Sequence, residues 1–217
     1  MDALVLYGFW RSIATYRVRV ALRLKALAFE ERPIDLLAGA QSSPAFAAIN
    51  AAQSVPVLVG QGFVLTQSEA IIEFLDEAYA GPKLLPADPL ARARARALAQ
   101  LTIADTHPLI TPRVRQQLHQ RFGADHDATT QWAQHFLGRG LATYETLLAA
   151  TPPAPFINGA APGLADIAVA SHAVAATLFG LKLEPTPAVA KLFAALSDLP
   201  QFAESHPLRQ PDAPAPG

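Results

Sequence analysis

The sequence predicts an α/β domain followed by an all-helical domain, and three observations predict it. The first eighty residues alternate strand-like and helix-like runs. A breaker-rich stretch then runs from Gly81-Pro82 to Pro86-Ala87-Asp88-Pro89. Beyond it the apolar periodicity is helical and the strand signals stop. The domains are therefore placed at 1–80 and 90–217, with 81–89 as the linker.

Element by element, Ala3–Tyr7 reads as a short buried strand. Thr15–Leu27 sets Val18, Ala21 and Leu22, then Val20, Leu24 and Leu27, at helical spacing, with Arg17, Arg19, Arg23 and Lys25 between them. Phe29–Ile34 suits a second strand, and a loop follows. Val57–Val59 and Phe63–Thr66 flank Gly60-Gln61-Gly62, the pattern of a hairpin. Ser68 opens an amphipathic helix through Ile71, Ile72, Leu75 and Tyr79 that stops at Gly81-Pro82. In the second part Leu90–Thr106, Thr130–Ala150, Leu164–Leu178 and Ala188–Leu196 read as helices, broken by Pro152-Pro153, Pro185 and Pro187. Pro207–Gly217 is a Pro-rich tail without apolar period.

Composition excludes several classes of function. A chain of 217 residues with 51% hydrophobic content can bury a sizeable core, which excludes wholesale disorder. Seventeen basic against 18 acidic side chains argue against a general nucleic-acid binder. With no cysteine there is neither a disulfide framework nor a nucleophilic Cys, so any thiol chemistry needs a thiol that arrives with a ligand. Met1-Asp2 opens acidic and Ala3–Tyr7 is too short for a signal peptide's apolar region. Ile167–Leu181 is interrupted by Ser171, His172, Thr177 and Gly180, and reads as a helix buried in a helical domain rather than a membrane span. A cytoplasmic protein with no membrane and no nucleic-acid partner is the expectation.

Between residues 81 and 123, Lys83, Arg92, Arg94, Arg96, Arg113, Arg115 and Arg121 face only Asp88 and Asp105. That stretch could meet an anionic ligand or form a solvated or intersubunit face. The six histidines show no metal-ligand spacing, and there is no dinucleotide or P-loop motif.

Three junctions could carry chemistry. The turn Phe9-Trp10-Arg11-Ser12-Ile13-Ala14-Thr15 joins a strand to a helix, which sets Ser12 and Thr15 beside free backbone N–H groups and the positive end of the helix dipole. A thiolate there has its pKa lowered and a hydroxyl can donate to it; equally, these residues could simply cap the helix. In Ser54-Val55-Pro56-Val57 a proline opens a strand. A cis bond would turn the Val55 N–H and C=O outward toward a peptide-like ligand, and a trans edge proline is the plainer alternative. At Gln67-Ser68-Glu69-Ala70, Ser68 as N-cap could bind a carboxylate with the Gln67 amide alongside, or only cap.

The order and spacing of these junctions resemble the glutathione transferases, and more narrowly the zeta class that includes maleylacetoacetate and maleylpyruvate isomerases. The narrow likeness lies in Trp10-Arg11-Ser12, Arg17-Val18-Arg19-Val20-Ala21-Leu22 and Gln67-Ser68-x-Ala70-Ile71-Ile72-Glu73. It continues in Leu84-Leu85-Pro86-Ala87-Asp88, His107-Pro108-Leu109 and His206-Pro207-Leu208-Arg209-Gln210-Pro211-Asp212, so it spans essentially the whole chain. The resemblance implies a thioredoxin-like N-terminal domain, an all-α C-terminal domain, glutathione as cofactor and a homodimer, with Arg92, Arg94 and Arg96 as surface or interface charges. It implies that Ser12 hydrogen-bonds the glutathione sulfur, that Gln41 and the Val55 backbone hold the glycyl and cysteinyl parts, and that Gln67 and Ser68 bind the γ-glutamyl end. His107 and Thr111–Arg113 match positions near the active site, and Arg11 and Arg113 match arginines that hold carboxylates of a small diacid substrate. The implied reaction is reversible thiolate addition to a maleyl diacid, rotation, and loss of the thiol as the fumaryl product forms.

Three positions depart from the family pattern. Ile13 and Ala14 stand where the family run has a second serine and a cysteine, which leaves Ser12 and Thr15 as the local hydroxyls. Leu178 stands where an arginine commonly precedes the phenylalanine. Gly163 replaces the usual threonine cap, so Asp166 reads as a buried folding determinant in a weakened capping box. Two alternatives to the isomerase stand: a glutathione transferase that conjugates or dehalogenates small electrophilic acids, which Leu178 favours, and a non-catalytic glutathione-binding protein.

Overall fold

A computed structural model describes residues 4–214. The chain folds as two compact units, Met1–Leu84 with Leu199–Gly217, and Leu85–Asp198.

The first unit holds a four-stranded sheet of β1 (Leu4–Gly8), β2 (Phe29–Pro33), β3 (Val57–Gly60) and β4 (Phe63–Thr66), in the order β2-β1-β3-β4. β1 runs parallel to β2 and antiparallel to β3, and β3–β4 is an antiparallel hairpin. The strands match the sequence expectation within a residue or two, and Ala3, the expected first residue of β1, lies outside the described residues. The hairpin loop is Gln61-Gly62, and Gly62 takes the positive φ of 80° that closes it.

Helix α1 (Ile13–Leu24) begins two residues before the expected start because Ser12 is its N-cap, accepting the Thr15 N–H at 3.2 Å. It ends at Leu24, not Leu27. Ala26 takes φ 52°, the Leu27 N–H reaches the Leu22 carbonyl and the Ala26 N–H reaches that of Arg23, a Schellman closure. The segment read as a loop between β2 and β3 contains a 3-10 turn, Ala40–Ser42, and a short helix, α2 (Pro44–Ile49). Ser43 caps α2, Pro44 opens it and buried Phe46 anchors it. α3 (Ser68–Ala78) has Gln67, not Ser68, as its N-cap residue.

The expected linker 81–89 is divided between the units. Lys25 Nζ donates to the Pro82 carbonyl, Lys83 Nζ to the Asp76 carbonyl, and the Leu84 N–H to the Asp76 carboxylate at 2.7 Å, which fixes the chain to the first unit as far as Leu84. In the second unit Arg92 Nε donates to the Pro86 carbonyl, and Asp88 caps α4 (Pro89–Ile103) through the Ala91 N–H.

The expected domain 90–217 is corrected at its end, because the segment from Leu199 belongs with the α/β unit. The cause is local packing. α9 (Pro200–Ala203) lies against α1 with Phe202 buried, Arg23 pairs with Glu204, and the Trp10 N–H donates to Asp212 at 3.0 Å. Residues 215–217 of the Pro-rich tail lie outside the described residues.

The second unit is helical, as expected. α7 (Leu164–Leu178) is buried from Leu164 to Ala176 and packs against α4 (Pro89–Ile103), α6 (His126–Ala150) and α8 (Pro187–Ser197). Asp166 is fully buried and takes the N–H groups of Ile157, Asn158 and Gly163, which makes it the expected folding determinant. α6 starts four residues before the expected Thr130, at the cap Asp125. α4 stops short of Thr106, and the chain turns through a 3-10 segment, His107–Ile110. α5 (Pro112–Phe122) was not expected; none of its residues is buried, so it carries no core signal.

The centre of this unit is a polar chain. His172 Nε2 faces the Leu137 carbonyl at 2.9 Å and so carries the proton, while Nδ1 accepts from the Thr102 hydroxyl at 3.2 Å. The Tyr144 hydroxyl lies 2.7 Å from that of Thr102 and 2.8 Å from the Leu98 carbonyl. Gly140 makes room for the ring: a Cβ there would lie 2.6 Å from His172 Nε2 and closer still to Cε1. Gly140→Ala should therefore cost roughly 1–3 kcal/mol, read as a lower urea midpoint, whereas the same change at open Gly138 should not.

Burial pushes the His172 pKa down to about 4 from 6.5. The unfolded chain takes up a proton near pH 6.5 that the folded chain refuses, so stability is full above that pH and falls on acidification. The loss should reach about 3 kcal/mol by pH 4, and His172→Gln should remove that part of the slope in urea titrations at stepped pH.

Candidate functional site

Strand register gathers five of the sequence-predicted residues at one end of the first unit's sheet. Tyr7 pairs with Val57 and Val57 with Thr66. The exit of β1 (Arg11, Ser12), the entry of β3 (Val55) and the exit of β4 (Gln67, Ser68) therefore share one edge. β2 runs parallel to β1, so the loop that carries Gln41 leaves the sheet at the same end.

Ser12 is half-buried. Its oxygen accepts the Thr15 N–H at the N-terminus of α1, and its hydroxyl proton is available to donate. Thr15, expected as the second local hydroxyl, is fully buried, and its hydroxyl has no hydrogen-bond partner. It packs against the end of β1, where a Cβ on Gly8 would lie 2.5 Å from Thr15 Cγ2 and 2.7 Å from Glu31 Oε1. Gly8 thus lets α1 begin directly against the sheet, and Thr15 serves this packing.

Ser68 is not the cap the sequence suggests but the first residue of α3. It is buried, and its oxygen accepts from Arg17 Nε at 3.0 Å. Ser68, like Ser12, therefore accepts one N–H and keeps its proton. Arg17 is 2% exposed, which sets a guanidinium behind Ser68 within low-dielectric surroundings. Gln67 is exposed and holds φ 69°, ψ 116°, a backbone region that costs a non-glycine residue energy. The Val55-Pro56 bond is cis, and Val55 is partly exposed. Gln41 has its amide oxygen enclosed without a partner.

The turn bearing Arg11 and Ser12 is held by Arg19, which is fully buried. Arg19 donates to the carbonyls of Phe9 and Trp10, and its Nε lies 2.8 Å from Glu31 Oε2. Sequence reasoning had Arg17 and Arg19 only as marks of resemblance; their buried, site-facing bonds give them roles.

His107 and Arg113 belong to the second unit. His107 opens the 3-10 segment, half-buried, and Arg113 is exposed on the first turn of α5. Arg115, not singled out by the sequence, places its guanidinium over the Phe179 ring, 5.3 Å from the centroid. A cation is thereby kept beside Phe179 although residue 178 is leucine. Among the described residues no group of acidic, histidine or cysteine side chains could hold a metal ion.

Residues 2–77 match the family Glutathione S-transferase, N-terminal domain. The chain is 40% identical over 213 residues to the maleylacetoacetate isomerase of Pseudomonas aeruginosa, covering 97% of this chain and 99% of that one. A maleylacetoacetate isomerase of Methylobacterium extorquens AM1, solved with bound malonate and glutathione, is 42% identical with a TM-score of 0.94, covering 97% of this chain and 100% of that one. A maleylpyruvate isomerase described as a bacterial zeta-class glutathione transferase is 38% identical with a TM-score of 0.93, at the same coverage. The buried Arg17 and Arg19, the Ser12 turn and the Gln67-Ser68 junction thus stand in a chain that belongs to the zeta-class glutathione transferase family.

Proposed function

We propose that the protein is a glutathione-dependent isomerase that converts the cis double bond of a maleyl diacid, maleylacetoacetate or maleylpyruvate, into the trans fumaryl form. The observation that carries this reading is the Ser12 hydroxyl, set at the N-terminus of α1 with its oxygen engaged and its proton left to donate. A thiolate is an anion that such a donor and such a helix end favour. The chain has no cysteine, so the thiol comes with a ligand. The Methylobacterium relative, solved with glutathione and the diacid malonate together, supports pairing a thiol with a dicarboxylate.

The residues fit glutathione. Ser12 and Ser68 each accept one N–H and keep a hydroxyl proton to donate, and Gln41 offers an enclosed carbonyl with no partner of its own. Ser12 would donate to the sulfur. Ser68, with the Arg17 charge behind it, and Gln67 would hold the γ-glutamyl end, while the Val55 backbone and Gln41 would take the cysteinyl and glycyl parts. When bound, glutathione supplies a thiolate that adds reversibly to an electron-poor double bond, which can then rotate. Arg11, next to Ser12, would hold a substrate carboxylate and stabilise the negative charge that develops on the substrate during addition. By the family resemblance Arg113 would hold the second carboxylate, and His107 would contribute to cofactor binding. We place the enzyme in the cytoplasm as a homodimer; exposed Val64 and Leu90 are apolar side chains open to a second copy. No helix among the described residues is long and apolar enough to cross a membrane.

The test follows the enol absorbance of maleylpyruvate or maleylacetoacetate with and without glutathione. Turnover should require glutathione and leave it unconsumed. Ser12→Ala should lower kcat about a hundredfold while the dissociation constant for glutathione changes little. Consumption of glutathione into a conjugate would make the protein the transferase that Leu178 favours. Glutathione binding without turnover of any electrophilic acid would make it a binding protein.

A further inference from the structure

The run His206-Pro207-Leu208-Arg209-Gln210-Pro211-Asp212 has no part in the chemistry above, yet it ends at the turn that carries Ser12. The tail is built rather than loose. Ser205 and Pro207 are buried, Gln210 Nε2 donates to the carbonyls of Glu204 and His206 at 2.8 Å each, and the Ala213 N–H returns to the Gln210 carbonyl. Together these bonds deliver the Asp212 carboxylate to the Trp10 N–H at 3.0 Å.

From this geometry we infer that Asp212 is a positioning residue for Ser12 and Arg11, and that the tail is a clasp on the catalytic turn. The inference rests on the isomerase reading and extends it. The two peptide units flanking Trp10 are fixed by opposite kinds of partner. Asp212 takes the Trp10 N–H, while Arg19 donates to the Phe9 and Trp10 carbonyls at 3.3 and 3.4 Å. The Phe9 carbonyl also receives the Ser12 N–H at 2.9 Å. Only Arg11 separates the clasped residue from Ser12, so rotation of the Trp10 peptide would shift both the guanidinium and the hydroxyl. Positioning errors of this kind lower turnover even when the catalytic groups are intact. Asp212 is exposed, so replacing it leaves the core undisturbed.

The experiment compares Asp212→Ala and Asp212→Asn with the wild-type chain. In Asp212→Ala, hydrogen exchange of the peptide spanning residues 9–12 should quicken and kcat should fall about five- to tenfold, with the melting temperature lower by no more than about 4 °C. Asp212→Asn keeps an acceptor oxygen and should restore exchange, with kcat within about twofold of wild type. Exchange at the wild-type rate in Asp212→Ala would overturn the inference. So would faster exchange with kcat unchanged, or an Asn variant as impaired as the Ala variant. If the wild-type chain gave no glutathione-dependent isomerisation, the functional reading would fail separately. The clasp would then stand only if Asp212→Ala both quickened exchange at residues 9–12 and weakened glutathione binding about fivefold in calorimetry.

Discussion

Two guanidinium groups on one helix, both buried, set the terms for the first unit. A buried charge costs several kcal/mol unless it is paired and its donors are filled, and an Arg offers five donors in a fixed plane. Arg19 meets that demand with the Glu31 carboxylate and two carbonyls of the β1–α1 turn, and Arg17 does so in part with the Ser68 hydroxyl. Neither set of partners is arbitrary. One is the backbone leading into Ser12 and the other is the first residue of α3. Satisfying the two charges and building the site are therefore the same act of folding. An alternative conformation of the β1–α1 turn would leave buried Arg19 donors without their carbonyls, which is a penalty no surface hydrogen bond could offset.

The hydroxyls inherit their chemistry from these constraints. A serine can donate once, and what decides its use is which of its neighbours already donates to it. Ser12 receives a backbone N–H and Ser68 receives a guanidinium N–H, so each keeps a hydroxyl proton to donate. In the proposed function both would act as donors to negative groups, a thiolate at one end of a peptide and a carboxylate at the other. His172 shows the same logic put to a structural end. Its two ring nitrogens are occupied by a carbonyl and a hydroxyl, its ring rests on Gly140, and burial keeps it neutral.

Much of this was legible in the sequence wherever a side chain announced its own environment. The strands, the hairpin at Gln61-Gly62, the buried α7 and the role of Asp166 follow from periodicity, from turn chemistry and from one carboxylate placed beside an apolar run. Helices α2 and α5 escaped because their evidence lies in caps rather than in apolar period. Ser43-Pro44 opens α2, while Pro112 and Gly123, which takes φ 66°, bracket an α5 with no buried residue. The tail escaped for a different reason. Its attachment to the first unit rests on pairs some two hundred residues apart in sequence, such as Asp212 and Trp10, and no local pattern encodes those. The candidate site residues come from resemblance. What the sequence could not show was direction, namely that Ser68 stands inside α3 beneath Arg17 rather than before it as a cap.

The same distinction settles the departures at Ile13 and Ala14. Read along the chain, an apolar pair beside Ser12 strips polar neighbours from a bound sulfur. In the fold both side chains are buried in the first turn of α1, at 6% and 8% exposure, within an unbroken buried run to Leu22. Apolar residues suit those positions, because a serine hydroxyl there would need a buried partner. Thr15 makes the point from the other side, since it carries a hydroxyl at a buried position and that hydroxyl goes without a partner. The loss of polar groups from this turn therefore removes a liability of the core. It leaves Ser12 as the half-buried hydroxyl of the turn, and it places the whole burden of orienting that hydroxyl on its cap bond, on Arg19 and on the backbone around Trp10.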